Sequence, residues 1–299
     1  MAVYHTPVLL EKSIEGLNID PAGVYIDATF GGGGHSREII KHLTTGKLLG
    51  FDRDSDAARN IIEDPRFIFV QQNFRFISNF LKLYGIAKVN GIIADLGISS
   101  HQIDIADRGF SIRYNSLIDL RMDRESGITG RDIINNYQEE ELKKIFREYG
   151  ELNNSGRIVH LIINSRMNKS IETIDGLKEV LAPLAPKGKE NKFYAKIIQA
   201  LRIEVNQELD ALKDFLIQAN ELLLPGGRLV VISYHSLEDR LVKNFIKKGK
   251  FEGEVETDFY GNRLLLFKAI NNSVIVPDEK EIAENSRARS AKLRIAEKI

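Results

Sequence analysis

Cysteine is missing from all 299 residues. Its absence excludes disulfides, thiolate metal sites and a cysteine nucleophile, and it fits a reducing compartment. No apolar run approaches the roughly 18 residues of a membrane span. The first residues, Met1-Ala-Val-Tyr-His-Thr-Pro-Val-Leu-Leu-Glu-Lys12, lack the basic start and apolar stretch of a signal peptide. A cytoplasmic protein is expected. Charge of one sign is not in excess either: 42 basic residues balance 42 acidic ones. An enzyme acting on nucleic acid with this balance must gather its positive charge locally. Internal repeats and low-complexity segments are also absent. With 43% hydrophobic and 28% charged residues, the chain can build one large domain or two smaller ones.

The first hundred residues alternate short apolar runs with helical patterns. Val24–Asp27, Lys47–Asp52, Arg66–Val70 and Val89–Asp95 read as strands, three of them ending in an acid. Helical spacing appears over Ser36–Leu43, Asp54–Ile62 and Phe76–Tyr84. Such alternation predicts an α/β fold, a mostly parallel sheet with helices on both faces. Residues 106–205 then show helical patterns and no convincing strand, which predicts an inserted all-helical domain. The sheet pattern resumes with a helix over Glu208–Leu224, a turn at Pro225-Gly-Gly227 and a strand over Arg228–Ser233. Helix Leu237–Lys248 and a strand over Arg263–Ile270, which can pair with Phe251–Phe259, complete the pattern. The expected domains are therefore 1–105 with 206–299, and 106–205.

Four segments carry candidate chemistry. Asp27-Ala-Thr-Phe-Gly-Gly-Gly-Gly-His35 joins a strand to a helix through four glycines, which lets backbone approach a ligand closely. The dinucleotide fingerprint needs a third glycine where Ser36 stands, yet the turn alone leaves a dinucleotide and an adenosyl cofactor both open. A turn without a ligand is the plain alternative. Asp52 ends the second strand, where an acid can meet ribose hydroxyls; the plain alternative is a helix cap. Asp95-Leu-Gly-Ile-Ser-Ser-His-Gln102 gathers polar side chains on the same sheet edge. Ile232-Ser-Tyr-His-Ser-Leu-Glu-Asp-Arg240 follows the fifth strand on that edge and reads as a site-lining segment, with His235 more often structural than a base. Basic residues cluster at Arg287, Arg289, Lys292 and Arg294, with a second run at Arg240, Lys243, Lys247, Lys248 and Lys250. Either can contact phosphates, although such runs are usually solvated faces.

Taken in order, these segments resemble the bacterial 16S ribosomal RNA cytosine-N4 methyltransferases, the MraW or RsmH type. The likeness runs from His5-Thr-Pro-Val-Leu-Leu10 through Asp52-Arg-Asp54, Asp107-Arg-Gly-Phe-Ser111, Arg121-Met-Asp123 and Gln199–Asn206 to His235–Arg240 and Arg287–Arg294. It implies a Rossmann-like class I methyltransferase domain carrying a helical insertion that recognises RNA. It implies S-adenosyl-L-methionine as cofactor, contacted by Gly33, Gly34, His35, Asp52, Phe74, Asp95 and Gln102. It implies, as substrate, a decoding-centre cytosine of 16S rRNA in the small subunit. The chain departs from the family pattern at His101, Leu120, Ala195–Ile198 and Tyr234, the last replacing a phenylalanine.

A sulfonium methyl donor is already electrophilic, so alignment with the amine suffices and no metal is expected. Asp95 is the candidate acceptor of the amine proton. The helical insertion and the Arg287–Arg294 tail are expected to grip the RNA. Three rival functions are a nicotinamide-dependent dehydrogenase, a non-catalytic RNA-binding assembly factor, and a methyltransferase for another nucleic acid.

Overall fold

In the computed structural model, residues 7–125, 127–271 and 273–299 are described; His5 and Thr6 of the first motif lie outside them. The chain runs α1 Leu10–Leu17, β1 Val24–Asp27, α2 Gly34–His42, β2 Lys47–Asp52, β3 Phe67–Gln71, α3 Ile77–Leu83 and β4 Val89–Asp95. Six helices follow: α4 Ser100–Asp104, α5 Gly130–Asn136, α6 Glu139–Glu148, α7 Ser155–Arg166, α8 Ile174–Leu181 and α9 Glu190–Asn206. Then come α10 Glu208–Leu222, β5 Leu223–Ser233, α11 Ser236–Lys248, β6 Phe267–Ala269, α12 Glu279–Glu284 and β7 Lys292–Lys298. The fold forms two compact units, residues 1–97 with 209–299 and residues 98–208. Among the described residues, no helix is long and apolar enough to cross a membrane.

The first unit is built on one seven-stranded sheet in the order β3-β2-β1-β4-β5-β7-β6. Strands β1 to β5 are mutually parallel, and β7 runs antiparallel to both β5 and β6. This is a Rossmann-like sheet with an antiparallel β7, the architecture the resemblance implies. Alternate residues feed two cores. Ile26, Leu49, Phe51, Leu229 and Val231 face one core, with Leu212, Phe215 and Phe245 of the covering helices. Tyr25, Leu48, Val230 and Ile232 face the other, with Leu17, Ile39 and Ile40. Period-two alternation of apolar side chains on both faces requires helices on both faces. Burying each such aliphatic side chain contributes about 1.5–3 kcal/mol.

Strand order reverses between β1 and β4, and ligands bind at the carboxyl ends of strands beside such a switch point. Asp27, Asp52 and Asp95 each close their strand there.

Three elements differ from the sequence pattern. The helix expected over Asp54–Ile62 is a 3₁₀ segment, Ser55–Asn60, whose first turn is capped by Asp54 Oδ1 accepting from Asp56 N at 3.1 Å. Of the strand expected over Arg263–Ile270, only Phe267–Ala269 joins the sheet; Arg263 instead bridges Thr257. The basic tail is not a loose arm. Its second half is β7, seated between β5 and β6 with Arg294 opposite Val231 and Leu293 fully buried.

The second unit packs α5 to α9 around Ile133, Leu142, Phe146, Ile158, Ile162, Leu181, Ile197 and Leu201. Side chains cap its helices. Thr129 and Asp132 form a reciprocal capping box on α5, as Gln138 and Glu141 do on α6. Motif residues far apart in sequence meet here. The Arg108 guanidinium, 1% exposed, donates to the Met122 carbonyl at 2.9 Å. Asn206 accepts from Met122 N at 2.9 Å and donates to the Leu120 carbonyl at 2.7 Å. Asp107-Arg-Gly, Arg121-Met-Asp123 and Val205-Asn206 thus contribute to one buried polar tie, which holds Leu120 at φ 65°.

Candidate active site

Hydrogen bonds between strand ends shape the glycine turn. Asp27, 2% exposed, accepts from Ser36 Oγ at 2.7 Å and from Thr29 N at 3.1 Å. It fixes both ends of the turn and is a structural anchor. The serine that spoils a dinucleotide fingerprint therefore has its own task. Asp52 Oδ2 accepts from Gly31 N at 2.7 Å, and its Oδ1 accepts from Asp54 N at 2.8 Å. Each carboxylate oxygen carries two lone pairs, so capacity remains for ligand hydroxyls. Asn60 Nδ2 donates to the Gly31 carbonyl at 3.0 Å, and Arg37 donates to the Gly32 carbonyl.

Glycine is required at two of the predicted positions. Gly33 caps α2 at φ 74°, and a side chain there would also strike Phe30 and Arg37 at 2.9 Å. A Cβ on Gly34 would lie 2.1 Å from Pro7 Cγ. The first-turn N–H groups of α2 have no intrahelical acceptor and form a ready hydrogen-bonding edge. His35 belongs to that turn through its backbone. Its ring is buried, with Nε2 3.2 Å from the Val8 carbonyl.

Asp95 ends β4 with its N–H donating to Thr29 Oγ1 at 2.6 Å. Its Oδ1 accepts from the Tyr234 hydroxyl at 2.8 Å. Burial pushes the Asp52 and Asp95 carboxyls up to about 6 each. Two backbone N–H groups oppose the rise at Asp52; His35 and the Tyr234 hydroxyl oppose it at Asp95. Burial raises Asp27 as well, and its charge adds to the rise at both neighbours. Both Asp52 and Asp95 remain partly exposed.

The structure thus brings Gly33, Gly34, His35, Asp52 and Asp95 to one sheet edge. Phe74 stands after β3, and its ring packs edge-on against Phe215 at 5.3 Å as part of the core. Gln102 belongs to the second unit, where its Oε1 accepts from Ser99 N at 3.0 Å in a capping box on α4. His235 is the N-cap of α11, joined to Glu238 in a further reciprocal box, as its plain reading anticipates. Sequence reasoning gives neither Thr29 nor Tyr234 a role of its own. Thr29 is one letter of the glycine motif, and Tyr234 one member of the site-lining segment Ile232–Arg240 that departs from the family's phenylalanine.

The basic tail needs correction. Arg294 Nε lies 2.7 Å from Asp239 Oδ1, and Lys292 Nζ 3.5 Å from Asp239 Oδ2. Both cations pair with Asp239, so these two residues belong to the sheet rather than to a loose arm, with the Lys292 side chain still partly exposed. Arg289 is exposed on a 3₁₀ turn.

The arrangement fits an adenosyl cofactor. Close backbone approach at the turn, an acid closing β2 and carboxylates converging on one edge suit a ligand with hydroxyls and a cationic centre. They suit a pyrophosphate less well, because anionic groups repel one.

Comparison with known proteins agrees. The profile of the MraW methylase family matches residues 2–299. The chain is similar to the ribosomal RNA small subunit methyltransferase H of Bacteroides thetaiotaomicron, 56% identical over 296 residues, covering 99% of this chain and 97% of that protein. The protein of the same name from Cytophaga hutchinsonii is 55% identical over 298 residues, covering 99% and 100%. That of Christiangramia forsetii is 53% identical over 297 residues, covering 99% and 98%. The chain belongs to the MraW methylase family, and its cofactor is S-adenosylmethionine.

Proposed function

We propose that this methyltransferase modifies 16S rRNA of the small subunit, at the exocyclic N4 of a decoding-centre cytosine. The end-to-end likeness to proteins named ribosomal RNA small subunit methyltransferase H carries the reading.

Gly33, Gly34 and the backbone of His35 would hold the cofactor along the turn, Asp52 its ribose, and Phe74, Asp95 and Gln102 complete the set. S-adenosylmethionine supplies a methyl group on a sulfonium, a strong electrophile. The amine of cytosine is a weak nucleophile because its lone pair is delocalised into the ring. Asp95 strengthens it by accepting an N–H hydrogen bond, which favours the pyramidal amine. As the nitrogen–methyl bond forms and the sulfur–methyl bond breaks, Asp95 takes the amine proton. The base must leave any stack to reach the strand ends. The helical unit, with Arg287 and Arg289, grips the surrounding RNA.

Mass spectrometry of nucleosides from small-subunit RNA, after incubation with enzyme and labelled cofactor, tests the reading. N4-methylcytidine is the expected product. A label on another base or another class of nucleic acid overturns the assignment in favour of a different substrate. Asp95→Asn at saturating cofactor should lower single-turnover methylation by at least about 100-fold. An unchanged rate removes Asp95 from proton transfer.

A further inference from the structure

Asp95 is held at two points. Its backbone N–H is bound by Thr29, and its Oδ1 by Tyr234. Among the described residues, no hydrogen bond reaches its Oδ2. Tyr234 is itself fixed. Its backbone N–H and that of His235 both donate to Glu238 Oε2, at 3.0 and 3.3 Å, and Glu238 is 3% exposed. The ring lies over Gly97, where a Cβ would come 3.5 Å from Tyr234 Cδ2. An aromatic ring locked at backbone and face has little freedom, so its hydroxyl marks one point in space.

We propose that Tyr234 is a positioning residue for methyl transfer: its hydroxyl holds Oδ1 of Asp95 so that Oδ2 is presented to the amine as an ionised acceptor. The inference rests on the reading of Asp95 as that acceptor. A carboxylate rotating about its Cβ–Cγ bond offers its lone pairs in many directions; one fixed oxygen fixes the other. The hydroxyl also donates to the charged form and thereby favours it. Burial and the charge of Asp95 keep the Tyr234 phenol protonated, well above its ordinary range, so it stays a donor. Other groups facing Asp95 act in both directions. His35 on α2 favours the ionised carboxylate, while Asp27 on β1 and Glu238 on α11 disfavour it. Loss of the hydroxyl therefore moves the carboxylate toward protonation.

Tyr234→Phe removes one oxygen and keeps the ring. In protein labelled with ¹³C at aspartate carboxyls, the resonance absent from Asp95→Asn identifies Asp95. It should titrate near 6 in the wild type and about one pH unit higher in Tyr234→Phe. The acidic limb of single-turnover methylation should move upward equally. Calorimetric affinity for S-adenosylhomocysteine, measured well above both limbs, should stay within about threefold. An unmoved titration and limb overturn the role of Tyr234. A change confined to cofactor affinity overturns it too. If Asp95→Asn methylates normally, the acceptor reading fails and this inference falls with it. If Asp95→Asn is inactive while Tyr234→Phe keeps the wild-type profile, only the inference fails.

Discussion

Asp95 sits where protonation, stability and chemistry pull against one another. Its folded pKa, about 6, lies above the ordinary 3.8. The folded state therefore holds the proton more tightly than the unfolded chain. Stability is unaffected below the unfolded value, declines as pH rises from about 4 to about 6, and stays lower above that range. The loss reaches up to about 3 kcal/mol, at about 1.4 kcal/mol per pKa unit. Asparagine keeps an oxygen for the Tyr234 hydroxyl and abolishes the charge. Ligand-free Asp95→Asn should thus melt several degrees above the wild type at pH 8 and within about a degree of it at pH 4. Thermal unfolding monitored by circular dichroism at both pH values checks this. Equal melting at pH 8 would mean that the buried carboxylate carries no strain. A residue that destabilises its own fold while closing a strand at a ligand edge is kept for chemistry rather than packing.

At the level of elements, β7 shows what a charge pattern conceals. Lys292-Leu-Arg-Ile295 alternates polar and apolar residues, the period of a strand, but the run of cations invites a reading as an RNA-binding arm. Burial of Leu293 and Ile295 decides for the strand, and Asp239 at the start of α11 then receives Lys292 and Arg294. Arg294→Gln would leave Asp239, which these cations hold below its usual range, with a weaker partner. It should cost about 1–3 kcal/mol in urea unfolding and leave the salt dependence of RNA binding unchanged. A lowered salt slope with unchanged stability would restore Arg294 to the RNA interface. The four parallel strands from β1 to β4 were legible because each is a short apolar run bounded by acids, glycines or helical spacing. So was the glycine turn, whose composition has few other uses. The 3₁₀ segment over Ser55–Asn60 was not, because Ala57 and Ala58 suit either helix type and the cap at Asp54 is shared. Tyr234 reaches Asp95 across 139 residues, a separation that local pattern does not encode.

The whole molecule carries no net charge and folds as two compact units, and both properties bear on how it meets its ligands. Zero net charge offers no long-range attraction to RNA, so the proposed association would depend on local cations such as Arg289. The residues proposed to contact the cofactor fall unequally between the units: Gly33, Gly34, His35, Asp52, Phe74 and Asp95 in the first, Gln102 alone in the second. Gln102 already has a task in the capping box with Ser99. Its proposed contact with the cofactor therefore makes a distinct prediction. Binding at 100 times Kd stabilises what it contacts by about 2.7 kcal/mol, equivalent to about 100-fold slower exchange for amides that open with the binding-competent fold. With S-adenosylhomocysteine at that ratio, hydrogen exchange should slow across residues 27–37 and 50–54, and also across 99–103. Slowing confined to the first unit would leave Gln102 as a helix-capping residue only. Slowing at 99–103 that persists in Gln102→Ala would assign the effect to the surrounding backbone. Slowing there that disappears in Gln102→Ala, with residues 50–54 still protected, is the outcome expected of a side chain that contacts the cofactor.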